Sequence, residues 1–161
     1  MNVIAAVDSN WGIGFKNELL FHIPRDLKFF KEKTLGKTVI MGRKTLESLP
    51  GGKPLKERKT LILSSSKKKI EGCESFASVE KLLERIASLK TEDVFVCGGQ
   101  SVYEALLPFC DTAYITKIRE SAPADKFFPD LDKEDGWELT DESELFEFDG
   151  IGYSFCTYKK I

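Results

Sequence analysis

The chain carries a single histidine, His22, in 161 residues. Its four cysteines, Cys73, Cys97, Cys110 and Cys156, form no CxxC pair. Together these exclude a structural zinc site, which needs clustered Cys and His ligands. The cysteines read instead as small core or surface thiols in a reducing compartment. No apolar run approaches the roughly 20 residues of a membrane span. Met1-Asn2-Val3-Ile4-Ala5-Ala6-Val7 lacks the basic start and longer apolar stretch of a secretory signal. Charge of one sign is missing too: 24 Lys and Arg against 26 Asp and Glu leave −2. Broad nucleic-acid binding therefore has no basic field to act through. Ser64, Ser65 and Ser66 have no GxSxG context, and His22 has no acidic partner nearby in sequence. His22 reads as a loop histidine hydrogen-bonded locally. With no nucleophile–base pair, a reaction carried out here leans on a cofactor.

What is present suits one domain spanning residues 1–161, because a chain of this length can bury a full core. Apolar runs at Val3–Val7, Thr38–Met41, Thr60–Leu63 and Val94–Cys97 predict buried strands, and Ser75–Ala77 a further short one. Helices are predicted from Pro24 to Thr34, after Gly42 to near Pro50, over Val79–Ser88 with Ser78 as N-cap, and from Gly98-Gly99 to about Leu107. Asp8–Ile23 reads as one long loop, and such loops are usually functional. After Ala113–Ile118 the helix signals fade. Trp137–Ser143, Glu144–Phe148 and Tyr153–Tyr158 then read as strands. The expected fold is α/β: a mostly parallel central sheet with flanking helices and an antiparallel C-terminal hairpin. Lys67-Lys68-Lys69 reads as a solvated turn.

Three groups of residues could carry chemistry. Asp26 lies in the first turn of the helix opened by Pro24, with Leu27 and Phe30 at helical spacing. A carboxylate on an apolar face needs a polar partner. The plainer alternative is that it complements the helix dipole. Gly98-Gly99 follows a buried strand and opens a helix, so the backbone there can approach a diphosphate or simply turn tightly. Gly42-Arg43-Lys44-Thr45 repeats the arrangement with two cations, and Ser64 and Ser65 end the next strand. Cations at a helix start are unfavourable unless an anion is bound. Donors gathered at several strand ends point to an anionic ligand across the carboxyl edge of the sheet, with surface placement of Arg43 and Lys44 as the alternative.

In order along nearly the whole chain, these segments resemble the dihydrofolate reductase family, bacterial type. The resemblance is carried by Ile4-Ala5-Ala6-Val7, Gly12-Ile13-Gly14 with Asn17, Ile23-Pro24-Arg25-Asp26-Leu27 with Phe29-Phe30, and Val39 to Thr45 with Glu47-Ser48. It continues in Arg58-Lys59, Leu61 to Ser65, Gly98-Gly99-Gln100 with Val102-Tyr103-Glu104, Tyr114-Ile115-Thr116, and Asp125 with Phe127-Phe128-Pro129. It implies a cytoplasmic, monomeric oxidoreductase that transfers hydride from NADPH to dihydrofolate, giving tetrahydrofolate, and that antifolate inhibitors can occupy.

The resemblance also implies roles. Asp26 corresponds to the active-site acid, supported by Thr116, with Phe21 beside it. Ala6, Leu27, Phe30, Leu49, Leu55 and Cys97 would wall the substrate, and Arg58 would clamp its α-carboxylate. Ala6, Ile13, Gly14, Asn17, Leu19, Leu63, Cys97 and Val102 would line the cofactor site. Gly42, Arg43, Lys44, Thr45, Ser64 and Ser65 would take its 2′-phosphate end. Gly98, Gly99, Gln100, Ser101 and Tyr103 would take the diphosphate and nicotinamide, with a cis peptide between the glycines. Residues 12–20 would close over the cofactor. One departure stands out: Leu20-Phe21 replaces the family's usual Pro-Trp, which removes an indole N–H. A pteridine reductase of the same fold acting on another substrate, and a non-catalytic binder, are the rival readings.

Overall fold

Val3, Val7, Val39, Ile40 and Val96 have no exposed surface, the mark of strands covered on both faces. The computed structural model describes residues 1–66 and 68–161. In chain order the first half holds β1 (Asn2–Val7), β2 (Gly12–Phe15), β3 (Glu18–Leu19), α1 (Pro24–Thr34), β4 (Thr38–Gly42), α2 (Arg43–Ser48), β5 (Lys59–Leu63) and β6 (Cys73–Phe76). The second half holds α3 (Val79–Ile86), β7 (Val94–Val96), α4 (Gln100–Leu106), β8 (Thr112–Ile118), β9 (Lys126–Phe127), β10 (Trp137–Glu142), β11 (Phe146–Phe148) and β12 (Ile151–Lys160).

The main sheet runs β10-β12-β8-β1-β7-β4-β5-β6, with β11 also paired to β12. Strands β8, β1, β7, β4, β5 and β6 are mutually parallel, whereas β12 enters antiparallel to β8 and binds β10 and β11. The expected mixed α/β sheet is thus present. The C-terminal region is not a simple hairpin, because one ten-residue strand serves three neighbours.

Several expectations need correction. Asp8–Ile23 is not one loop: it contains β2 and β3, which join β9 in a separate three-stranded sheet. Strands of two to four residues carry too little periodicity to read. The strand expected at Glu144–Phe148 covers only Phe146–Phe148. Helices α3 and α4 end at Ile86 and Leu106, earlier than Ser88 and Leu107. His22 is exposed, among residues with no regular structure, and no hydrogen bond of its side chain appears among the described residues. Lys67 lies outside the described residues, while Lys68 and Lys69 are exposed. Ser78 does cap α3, accepting from the Lys81 backbone N–H at 3.2 Å.

A polar cluster fastens the segment after β9 to the main sheet. Asp132 accepts from Lys117 Nζ at 2.6 Å and from the Tyr158 hydroxyl at 2.7 Å. Burial alone would raise the Asp132 carboxyl, but its two donors outweigh this and leave it below the ordinary carboxylate range. A folded-state value held low means that the stabilisation is present above the unfolded value and is lost as pH falls through the folded one. Half-exposed as it is, the pair should contribute no more than about 1 kcal/mol. Asp132→Asn should therefore lower the melting temperature near neutral pH by about 2–4 °C. The gap from the native protein should close in acid, and a pH series of thermal melts checks it.

Candidate active site

Helix α1 begins where the sequence dictates. Pro24 takes its first position, and Asp26 falls in the first turn. The helix is held against the antiparallel side by aromatic contacts. Arg25 lies over the Phe146 ring at 4.3 Å, and Phe29 stacks on Phe155 at 4.6 Å between centroids. Phe21, Ala6 and Phe146 pack with Ile23, Ile118 and Tyr153 beneath it. This placement sets Asp26 against β8, where Thr116 Oγ1 donates to Asp26 Oδ1 at 2.6 Å. Burial pushes the Asp26 carboxyl above its ordinary range, and the Thr116 hydrogen bond works against that rise.

Thr116 pairs in register with Ala6 of β1, and Ala6 lines a cavity of about 700 Å³. That volume falls within the usual span for small-molecule sites. The cavity floor is built from two strand-to-helix turns. Gly42 N–H donates to the Gly98 carbonyl at 2.8 Å, which brings the starts of α2 and α4 together. A Cβ at Gly42 would meet Val102 Cγ2 at 3.2 Å, so a larger residue would force the turns apart. Gly98 has φ +121° and faces the Tyr103 ring, a conformation that favours glycine. The Gly98–Gly99 peptide is cis, as the resemblance implied. Ile13, Gly14, Asn17 and Leu19, from β2, β3 and the turn between them, line the cavity.

Every residue assigned to the cofactor lines this cavity. Gly42, Arg43, Lys44, Thr45, Leu63, Ser64 and Ser65 stand on one side, with Cys97, Gly98, Gly99, Gln100, Ser101, Val102 and Tyr103 on another. Of the residues assigned to the substrate, only Ala6 and Cys97 do so. Phe30, Leu49 and Leu55 pack instead against the adjacent cluster of Ile4, Met41, Leu46 and Phe95, together with Cys97. Leu27, on the same helix as Phe30, is 47% exposed. Arg58 Nε is buried and has no hydrogen-bond partner among the described residues. Its charge reaches Cys97, whose thiol burial nevertheless pushes up to about 12. Cys97 is therefore a neutral wall, not a nucleophile. Tyr103 donates to the Ile4 carbonyl at 2.7 Å, and burial raises its phenol well above the ordinary value, with the Asp26 carboxylate acting in the same direction.

Sequence reasoning missed Ser66 and Lys126, which also line the cavity. Ser66 extends the Ser64-Ser65 run, and Lys126 sits inside the Asp125-to-Pro129 motif, so each had a neighbour that pointed to it. The expectation that Arg43 needs a bound anion also requires amendment. Arg43 already has partners in the protein, Glu47 at 2.9 Å and Ser66 at 2.8 Å.

The family model for dihydrofolate reductase matches residues 1–160. The chain belongs to the dihydrofolate reductase family. The dihydrofolate reductase of Bacillus subtilis is 36% identical over 163 residues, covering 99% of this chain and 94% of that protein. That of Neisseria gonorrhoeae is 37% identical, with 98% and 96% covered. A solved dihydrofolate reductase from Enterococcus faecalis, complexed with NADP(H) and RAB-propyl, superposes with a TM-score of 0.88 at 35% identity, covering 99% of this chain and 95% of that one. Dihydrofolate reductases reduce dihydrofolate with NADPH, and this chain is an NADPH-dependent oxidoreductase of that kind.

Proposed function

We propose that Asp26 anchors the pterin of 7,8-dihydrofolate while Arg58 grips its glutamate tail, so that the product is 5,6,7,8-tetrahydrofolate for one-carbon and thymidylate metabolism. The observation that carries this reading is the partly buried Asp26 carboxylate, tied through Oδ1 to Thr116 one strand away from the cavity residue Ala6. A carboxylate so placed can accept two hydrogen bonds from a ring N–H and an exocyclic amine. NADPH supplies the hydride. Ala6 and Cys97 lie where both ligands would meet. Phe21, packed against the cluster of Ile23, Ile118 and Tyr153, would keep aromatic bulk beside the pterin. The small sheet would close over the cofactor and exclude solvent.

The residues fit an anionic dinucleotide on this structure's own terms. Arg43, Lys44, Ser64 and Ser65 gather cations and hydroxyls at one end of the cavity, where a 2′-phosphate would be recognised. Arg43→Ala should therefore weaken NADPH by about 1.5–3 kcal/mol, the scale of a charged hydrogen bond, with little effect on NADH. The test follows absorbance at the NADPH band after mixing protein, cofactor and dihydrofolate, with NADH in parallel. Rapid NADPH oxidation and slow NADH use are expected in the native protein. NADPH binding without oxidation would overturn the reading. All proposed site residues come from one chain, which suits a monomer. Free thiols at Cys73, Cys97, Cys110 and Cys156 suit the cytoplasm.

A further inference from the structure

We infer that Glu47 and Ser66 are positioning residues that set the preference for a phosphorylated dinucleotide by fixing the direction of Arg43. The inference rests on the reading that Arg43 meets the 2′-phosphate. Arg43 opens α2, and Glu47 stands one turn further on the same helix face. Arg43 Nε donates to Glu47 Oε1 at 2.9 Å, and Nη1 donates to Ser66 Oγ at 2.8 Å. Two of the three guanidinium nitrogens are thus engaged from different elements, so the plane of the group and the direction of Nη2 are set. Ser66 is itself held. Its N–H donates to Ser64 Oγ at 3.2 Å, and its Oγ accepts from the Lys68 N–H at 3.2 Å. The arrangement links α2 to the loop after β5, the two segments that bring cations and hydroxyls to one end of the cavity.

An exposed i,i+4 ion pair is common on helices and by itself signifies little. The chain supplies its own comparison. Lys28 and Glu32 form such a pair at 3.9 Å with side chains 76% and 65% exposed, and neither lines the cavity. Arg43 is 30% exposed, lines the cavity, and has a second partner that Lys28 lacks among the described contacts. An arginine already held loses less freedom when an anion arrives, so more of the contact appears as affinity. Glu47 also brings a negative charge near the phosphate. Its side chain is 57% exposed, so that charge is screened, and orientation outweighs repulsion.

The two effects separate by substitution. Glu47→Gln keeps an acceptor for Arg43 Nε and removes the charge. Glu47→Ala removes both, and Ser66→Ala removes the second hold. NADPH and NADH dissociation constants are measured by fluorescence titration on the full-length variants, with thermal melts alongside. Glu47→Ala and Ser66→Ala should weaken NADPH about tenfold, leave NADH within about twofold, and leave the melting temperature unchanged. Glu47→Gln should stay within about twofold of the native protein or bind NADPH more tightly. Native NADPH affinity in both alanine variants, an equal loss for NADH, or a Glu47→Gln variant as weak as Glu47→Ala would each overturn the positioning role. Arg43→Ala separates the levels. If it loses NADPH selectively while Glu47→Ala does not, only the present inference fails. If it affects NADPH and NADH alike, the phosphate reading fails with it.

Discussion

Asp26→Asn should melt at a higher temperature than the native chain near neutral pH and yet lose roughly 100-fold in turnover. Both effects come from one cause. Burial holds the folded-state Asp26 carboxyl above its unfolded value. Stabilisation of that sign is fully present below the unfolded value and is lost as pH rises through the folded one. At neutral pH the ionised carboxylate is therefore a cost that folding bears and asparagine removes. Asparagine Oδ1 can still accept from Thr116, so that hydrogen bond survives. Each 1 kcal/mol gained should raise the melting temperature by about 2–4 °C. The gain should vanish at about pH 4 and below, where aspartate is itself protonated. Turnover falls because two charge-assisted hydrogen bonds to the pterin, about 1.5–3 kcal/mol each, lose their ionic acceptor. Calorimetry at two pH values and steady-state kinetics check the pair of effects. A variant that melts lower and turns over normally would remove Asp26 from the site.

Arg58→Met should raise the KM for dihydrofolate about 100-fold while leaving the KM for NADPH where it was. Methionine preserves much of the apolar stem, so the loss comes from the guanidinium. The same variant should fold at least as stably. Arg58 Nε is buried with no hydrogen-bond partner among the described residues, and removing such a group relieves about 1–3 kcal/mol of desolvation. The deciding comparison is a pterin substrate without the glutamate tail. Native and variant proteins should then reduce it at the same rate. Unequal rates would mean that Arg58 acts on the pterin or the fold and not on a carboxylate.

Much of this site was legible because its residues sit at punctuation marks. Pro24 and Gly36 bound α1 within a residue or two, which fixed Asp26 in the first turn. Gly42 and Gly98-Gly99 end apolar runs and open helices, which located both cavity turns. What stayed hidden involves contacts between segments far apart in sequence. Helical spacing grouped Leu27 with Phe30, yet Leu27 is 47% exposed whereas Phe30 packs against a core cluster. The Arg43–Ser66 hydrogen bond spans 23 residues, so no local spacing could show it. The strands β2, β3 and β9 are too short to show a period, and they exist because Gly14, Leu19 and Lys126 find each other.

Among the described residues the small sheet pairs with no strand of the large one, although the Asp8 N–H, just past β1, donates to the Gly12 carbonyl of β2 at 3.0 Å. Its strands number four, two and two residues, and Phe15, Leu19 and Phe127 on them are exposed. So few buried contacts place it at the low end of local stability. One chain should thus have two thresholds of heat resistance. A calorimeter would register the collapse of the large sheet, whereas the wall over the cavity would already have come apart some degrees below. Working temperature and melting temperature are then different properties of this protein, and strengthening the main core would extend the second without moving the first.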